Sequence, residues 1–113
     1  MENKVRRKYF AVITKQGTTR LYMKDILYFE NDLRRIHVHT VHEVYSYYGS
    51  FKDLEVLVDD RFCRCHYSLM VNLDKVKSIE RYVINLENGE ILTVSQRKYL
   101  LTKARYLAFL SSL

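Results

Sequence analysis

The chain has 113 residues, 48% of them hydrophobic and 13% aromatic, so it is long enough for one compact domain and too apolar to be disordered. Only three glycines are present, which excludes the glycine-rich loops that cradle phosphates in nucleotide-binding enzymes. The net charge of +6 and the pI of about 9.4 favour a polyanionic partner without identifying it.

Short strands dominate the predicted secondary structure. The clearest is Arg35–Thr40, in which Ile36 and Val38 alternate with polar residues, the period of two expected for a half-buried strand. Similar runs, rich in β-branched and aromatic residues, recur along the chain. In chain order, the predicted strands are Tyr9–Thr14, Thr19–Tyr22, Leu27–Asn31, Arg35–Thr40, Glu43–Tyr48, Phe62–His66, Leu69–Val71, Val76–Glu80, Tyr82–Leu86 and Ile91–Val94.

Helices and turns are fewer. Ser50, with Asp53 three residues later, predicts the start of one short helix. Glu87–Glu90 predicts a hairpin turn, because Asn88-Gly89 tolerates a positive φ at both residues. Ser95 predicts the cap of a final amphipathic helix, roughly Arg97 to Leu110. These elements together indicate a mainly β domain with one short helix and a C-terminal helix.

The apolar residues of the C-terminal helix are expected to form its packing face. They are Tyr99, Leu100, Ala104, Leu107 and Leu110. The basic residues Lys98, Lys103 and Arg105 then form the solvated face.

The cysteines and histidines are interpreted as ordinary strand residues. Cys63 and Cys65 share a strand face with their Cα atoms roughly 7 Å apart, which disfavours a disulfide between them. We expect them to be reduced core residues, in keeping with a cytosolic protein. His66 points to the opposite face from both cysteines, and the pairing typical of a zinc site is missing. We therefore expect no metal and no cofactor.

Enzymes and membrane proteins are also disfavoured. No local nucleophile pattern connects the serines, histidines and acidic residues, so we expect no catalytic activity. The N-terminus is charged and has no apolar stretch after it. The apolar run Tyr106 to Leu110 is too short to span a bilayer.

Basic residues cluster in three predicted loops. Arg34 and Arg35 lie at a hairpin end, Arg64 and His66 flank Tyr67-Ser68, and Arg97-Lys98 begins the last helix. Arginine can donate two hydrogen bonds to guanine or to phosphate, and serine hydroxyls also bind phosphate. On charge and position alone, solvated loop residues explain the pattern equally well.

Five segments resemble the LytTR family. Asp60–Val76 resembles its signature of F-x-R-x-H-x-S-x, a hydrophobic residue, then V-N. Asp25–Glu30 resembles its strand ending in Y/F-E, and Tyr48–Glu55 its S/T-L-x-x-L-E helix start. Leu86–Glu90 and Val94–Arg97 resemble its N-G hairpin and V-S-R ending. The resemblance covers about Tyr9 to Leu110, and the central stretch is the most specific part.

The resemblance implies an elongated stack of small antiparallel sheets that serves as a DNA-binding output module of bacterial response regulators. Such domains insert loops into successive major grooves of double-stranded DNA, usually at paired direct repeats. The implied base contacts are Arg34, Tyr67 and Arg97. The implied phosphate contacts are Arg35, Ser68, Ser95 and Lys98. His66 and Asn72 match signature positions, and Asn72 is expected to hydrogen-bond backbone where a strand breaks.

The chain departs from the family pattern at two places. Tyr67 stands where the family usually has arginine or asparagine, and tyrosine cannot make a bidentate contact with a base. Gln96 separates Ser95 from Arg97, whereas the pattern has arginine directly after serine.

The predicted organisation is a basic N-terminal extension or linker remnant over residues 1–8 and a LytTR-type domain over residues 9–113. The family often joins this module to a receiver domain, which these residues do not contain. Binding as a dimer on direct repeats is the further implication.

Two alternatives remain open at the level of sequence. The first is a protein-interaction β module that docks a partner through Leu107, Phe109 and Leu110. The second is a single-strand binder in which the ten tyrosines act as stacking platforms for bases. The first would associate independently of salt, and the second would prefer single strands to duplex.

Overall fold

The computed structural model describes residues 7–113, which form ten strands and two helices within that range. The strands are β1 Tyr9–Thr14, β2 Gly17–Tyr22, β3 Ile26–Asp32, β4 Arg35–Thr40, β5 Val44–Tyr48, β6 Phe62–His66, β7 Leu69–Asn72, β8 Val76–Glu80, β9 Val83–Leu86 and β10 Ile91–Thr93. The helices are α1 Phe51–Leu54 and α2 Tyr99–Ser111. Single 3₁₀ turns cover Met23–Asp25, Leu73–Lys75 and Gln96–Lys98.

All three sheets are antiparallel and small. The central sheet has the strand order β5-β4-β3-β7-β6, with the β1–β2 hairpin on one side and the sheet β10-β9-β8 on the other. The molecule measures 40 × 31 × 25 Å along its principal axes. The stack of small antiparallel sheets with a short helix and a C-terminal helix confirms the predicted fold class.

Two apolar cores lie on opposite faces of the central sheet, because successive side chains of a strand point to opposite faces. Phe29 and Met70 belong to the first core, which also contains Phe10 from the β1–β2 hairpin and Phe51 from α1. Their neighbours Tyr28 and Val71 belong to the second core, with residues of β8, β9, β10 and α2. The central sheet is therefore covered on both faces.

A buried ion pair supports the segment that leads into β6. The guanidinium of Arg61 donates to both carboxylate oxygens of Asp59, at 2.9 and 3.0 Å, and also to the backbone oxygen of Arg7 at 2.7 Å. The Arg7 amide donates to Asp59 at 2.8 Å. Arg7 is thus attached to the body of the domain. Residues 1–6 of the predicted N-terminal extension lie outside the described residues.

Two hairpin turns differ from the sequence prediction. At Asn88-Gly89 only Gly89 has a positive φ, 93°, and its amide donates to Leu86 at 3.0 Å. The loop has one residue more than a two-residue hairpin, so the glycine takes the left-handed position that follows a type I turn. The turn with a positive φ at both residues is Arg81-Tyr82, at 51° and 65°. Tyr82 is therefore a turn residue, and β9 begins at Val83.

The packing face of α2 was predicted correctly only at Tyr99. Its buried residues are Thr102 and Phe109, with Tyr99 and Tyr106 half-buried beside them. Among the predicted packing residues, Leu100 is 77% exposed and Leu107 63%. Arg105, predicted to be solvated, donates to the backbone oxygens of Asp60 and Phe62. The leucines line the outer surface of the helix, and Phe109 is unavailable to a docking partner.

The C-terminal helix also begins later than predicted. The hydroxyl of Ser95 makes no capping hydrogen bond, and residues Gln96–Lys98 form a 3₁₀ turn before α2 starts at Tyr99. Lys98, with helical backbone angles, occupies the N-cap position of α2. The segment that carries Arg97 is thus a tight turn and not the first turn of an α-helix.

Candidate nucleic-acid interface

Three loops that carry predicted site residues lie side by side at one end of the central sheet. The amide of Asn31, near the end of β3, donates to the carbonyl oxygen of Ser68 in the β6–β7 turn at 2.8 Å. The amide of Ser95 donates to the carbonyl oxygen of Cys65 in β6 at 3.2 Å. The β6–β7 hairpin is therefore hydrogen-bonded to both neighbouring segments. These hydrogen bonds place the three loops next to one another.

The first loop is the tip of the β3–β4 hairpin. Asp32 pairs with Arg35, so Leu33 and Arg34 form a two-residue turn that extends beyond the last paired residue of β7. Both side chains are exposed. The guanidinium of Arg35 lies over the ring of Tyr48 at 5.1 Å, and this cation–π contact restrains it. The hairpin thus presents one free arginine at its tip and one supported arginine behind it.

The second loop is the β6–β7 turn. The side chain of Tyr67 is 73% exposed, and its ring lies 4.4 Å from that of His66. His66 Nδ1 accepts a hydrogen bond from the amide of Ser68 at 3.2 Å and also lies 3.0 Å from the Ser68 hydroxyl. The imidazole therefore stabilises the turn, and the Ser68 hydroxyl is already engaged in a hydrogen bond with it.

Arg64 supports that turn from below, a role that the sequence does not reveal. Its guanidinium donates to the carbonyl oxygen of Tyr67 at 2.8 Å. It also lies 3.6 Å from the carboxylate of Glu55 and 5.1 Å from the ring centre of Phe51. These contacts within the domain occupy the guanidinium of Arg64. Arg64 therefore positions Tyr67 and is not a free charge in the loop. No local sequence signal marks this role, because it depends on the folded positions of Glu55 and Phe51.

The third loop is the 3₁₀ turn before α2. The amide of Lys98 donates to the carbonyl oxygen of Ser95 at 3.0 Å, which closes the turn around Gln96 and Arg97. Arg97 is exposed, whereas Ser95 and Lys98 are half-buried. The Ser95 hydroxyl is not used in a helix cap. The arginine at the centre of this turn is free to contact a ligand.

The two cysteines lie in the core beneath this third loop, as free thiols. Burial, together with the neighbouring Cys63, raises the pKa of the Cys65 thiol to about 12. The charge of Lys98 acts in the opposite direction on the pKa of both thiols, but it is the weaker influence. Both cysteines are therefore protonated at neutral pH and behave as small apolar residues.

Asn72 joins the central sheet to the turn that follows β7. Its side chain is fully buried, and its amide nitrogen donates to the carbonyl oxygen of Ile26 at 2.8 Å. Its amide oxygen accepts a hydrogen bond from the amide of Asp74 at 3.0 Å. The side chain thus satisfies one backbone group at the start of β3 and another at the start of a 3₁₀ turn.

Residues 7–113 contain no cluster of three or more side chains suited to holding a metal ion. Two of the histidines instead have partners on neighbouring strands: His37 lies beside Ser46 and Asp32, and His39 beside Glu30. Within the same range no helix is long and apolar enough to cross a bilayer.

Comparison with known proteins identifies relatives of this chain. The model of the LytTr DNA-binding domain family matches residues 16–106. Accessory gene regulator protein A of Staphylococcus aureus strain N315 is 37% identical over 89 residues, which cover 74% of this chain and 37% of that protein. The protein of the same name from Staphylococcus epidermidis strain ATCC 12228 is 33% identical with the same coverage. The chain therefore spans little more than a third of the length of these relatives.

A solved structure has the same fold. It is described as the LytTr DNA-binding domain of a putative methyl-accepting/DNA response regulator from Bacillus cereus, and it superposes with a TM-score of 0.74 at 24% sequence identity. The match covers 89% of this chain and 97% of that one. The family model matches most of the chain, and this superposition agrees with it in architecture. The chain belongs to the LytTr DNA-binding domain family.

Proposed function

We propose that this domain binds double-stranded DNA in a sequence-specific manner and serves transcription regulation. One observation carries the proposal: three loops with exposed Arg34, Tyr67 and Arg97 are joined by backbone hydrogen bonds along one end of the central sheet. A rigid framework that presents cationic loops together can enter a groove without a recognition helix. The positive net charge of the chain is suited to the DNA backbone.

The proposed base contacts differ in what they can recognise. Arg34 and Arg97 carry guanidinium groups that can donate two hydrogen bonds to the N7 and O6 atoms of guanine. Tyr67, held from below by Arg64, can donate one hydrogen bond or pack against a thymine methyl or a sugar. We therefore expect the strongest base preferences at the two arginine positions and a weaker one under Tyr67.

The proposed phosphate contacts are Arg35, Ser68, Ser95 and Lys98. Arg35 is supported by the Tyr48 ring, and the Ser95 hydroxyl is free of a helix cap. Ser68 differs from these, because its hydroxyl must leave His66 Nδ1 before it can donate to a phosphate. We expect Ser68 to contribute least among the four.

The proposed site is a pair of direct repeats, contacted in successive major grooves. The long axis of the domain is 40 Å, comparable to one helical turn of DNA, about 34–36 Å. A domain of this length can thus lie along the duplex across about one helical turn. Dimeric binding on the repeats and a receiver domain joined to this domain belong to the same proposal.

Selection from a pool of random duplexes tests the proposed function. The domain is expected to enrich one motif, and the affinity for that motif should fall linearly with salt on a double-logarithmic plot, since phosphate neutralisation releases counterions. Competition with single strands of the same sequence separates the proposal from single-strand binding. Failure to enrich any duplex, or a preference for single strands, would contradict it.

Replacing Lys98 with alanine is expected to weaken binding to all duplexes by a similar factor. A phosphate contact carries no base information, so the salt dependence should become shallower by about one unit of slope while the preferred motif stays the same. Lys52→Ala is the matched control, because Lys52 is the one base among the acids of residues 43–60. A changed motif in Lys98→Ala would show that Lys98 contacts a base.

The alternative function, docking of a protein through α2, is supported by the exposed Leu100 and Leu107 but not by Phe109, which is buried. Association that is independent of salt and is lost in Leu107→Glu, without affinity for duplex DNA, would favour this alternative.

A further inference from the structure

Leu33 lies at the tip of the β3–β4 hairpin in a position that is unusual for a leucine. Its side chain is 92% exposed, the highest value among the large hydrophobic side chains of residues 7–113. Its backbone φ is 56°, in the left-handed region that glycine and asparagine tolerate best. The residue is thus unfavourable in two respects: its backbone is strained and its apolar side chain is left in water.

The geometry of the turn requires the positive φ at position 33, but it does not require a leucine there. Asp32 pairs with Arg35, so the connection has two residues, and of these only Leu33 has a positive φ. A positive φ at the first of two turn residues is typical of a type II′ turn, in which glycine is preferred. Glycine would close the same hairpin without strain.

In the other turn of the described chain where residues other than glycine have a positive φ, tertiary contacts offset the strain of the backbone. Tyr82 also has a positive φ, but its ring packs 4.3 Å from the ring of Tyr99, and its carbonyl oxygen accepts a hydrogen bond from Val94 at 2.9 Å. These contacts offset the cost of its backbone. Leu33, at its level of exposure, has almost no packing to do the same. Uncompensated strain of this kind is typical of functional positions.

We propose that Leu33 contacts the C5 methyl group of a thymine in the bound duplex. This inference rests on the proposed function and extends it by one base pair. In the major groove only the A·T pair presents a methyl group, and apolar side chains contact it. Leu33, Arg34, Arg35 and Tyr48 line an open concavity of about 600 Å³, and Asp32 lies beside them. The leucine and the aromatic ring suit a methyl-bearing base edge. The two arginines outnumber the single carboxylate, so the concavity also suits a neighbouring phosphate.

The position of that thymine follows from the chain geometry. Adjacent Cα atoms lie about 3.8 Å apart, and base pairs are stacked about 3.4 Å apart. If Arg34 contacts a guanine, Leu33 therefore faces a neighbouring base pair. The expected recognition element is a thymine next to the guanine that depends on Arg34, with Arg34→Ala identifying that guanine.

The test combines a protein variant with a change of one methyl group in DNA. In the duplex selected by the unmodified domain, each thymidine is replaced in turn by deoxyuridine, which lacks only the methyl. The unmodified domain is expected to lose about fourfold in affinity at the Leu33 position, the equivalent of one buried methyl group. Leu33→Gly should lose a similar factor on thymidine and nothing further on deoxyuridine.

Two controls separate this role from a structural one. Leu107→Ala removes an equally apolar, 63% exposed side chain on α2 and should keep the full response to deoxyuridine. Leu33→Gly relieves the strain, so its melting temperature should equal or exceed that of the parent.

The outcomes distinguish this inference from the proposed function. If the parent and the Leu33→Gly variant select a duplex and respond equally to deoxyuridine, the role of Leu33 is overturned and duplex binding is left intact. The same holds if no thymidine lies beside the guanine that depends on Arg34. A domain that selects no duplex would overturn the proposed function and this inference together.

Discussion

Replacing Arg97 with alanine is expected to cost about 1–3 kcal/mol in binding to the selected duplex and to relax the preference at one base pair. Arg97 is exposed at the centre of a turn closed by the Lys98–Ser95 hydrogen bond, so its guanidinium is free while its backbone is fixed. Fluorescence anisotropy with the selected duplex and a scrambled duplex measures both effects.

Arg97→Lys separates charge from geometry at this position. Lysine keeps the positive charge but cannot donate two parallel hydrogen bonds to one base. The lysine variant should therefore keep the affinity for scrambled DNA and the salt dependence, and lose most of the discrimination. If Arg97→Ala bound both duplexes like the parent, Arg97 would have no role in the interface.

Replacing Arg61 with methionine is expected to reduce the free energy of unfolding by about 3–5 kcal/mol, because it leaves the carboxylate of Asp59 buried without its partner. Asp59 is only 6% exposed and accepts hydrogen bonds from the Arg61 guanidinium and from the Arg7 amide. Urea denaturation followed by circular dichroism measures the change. The double variant Asp59→Leu/Arg61→Met should recover much of the loss, since it removes both charges; a loss equal to the sum of the single variants would contradict the pairing.

The same pair makes stability depend on pH. Burial raises the pKa of Asp59, but the hydrogen bonds from Arg61 and Arg7 and the charge of Arg61 outweigh burial, so the pKa lies below its ordinary value of 3.8. A carboxyl group whose pKa is lower in the folded state stabilises the fold above its unfolded pKa. That contribution is lost as pH falls through the folded pKa. The parent should therefore lose stability below about pH 3.8, and the double variant should lack this component.

Most of the strands follow from local sequence. The alternation in Arg35–Thr40 predicts β4 with its observed bounds, and Ser50 caps α1 as expected, accepting from the Asp53 amide at 3.3 Å. Local information is sufficient here because strand faces and N-caps depend on neighbouring residues.

The prediction was wrong where tertiary packing overrides local preference. In α2 both sides of the helix are apolar, and the less hydrophobic set with Thr102 and Tyr106 faces the core, while Leu100 and Leu107 face outward. A prediction from hydrophobicity alone places the leucines of α2 in the core, and it therefore selects the wrong face of the helix. At Arg81-Tyr82 the ring contact with Tyr99 stabilises a turn that no glycine or asparagine marks.

The arrangement of the candidate site could not be predicted from local sequence, because it depends on contacts between distant segments. The basic loops are visible in the sequence, but the hydrogen bonds that join them connect Asn31 to Ser68 and Ser95 to Cys65, which are far apart in the chain. The internal use of Arg64 likewise depends on Glu55 and Phe51 being folded beneath it. Only the resemblance to a family linked these segments before the structure did.

Within residues 7–113, the hydrogen bonds that link the three loops run between main-chain atoms, from amide to carbonyl oxygen. Exchange of the side chains at positions 34, 67 and 97 therefore leaves the scaffold that spaces them unchanged. Under the proposed base contacts, a library randomised at these three positions is expected to yield folded variants with altered target preference.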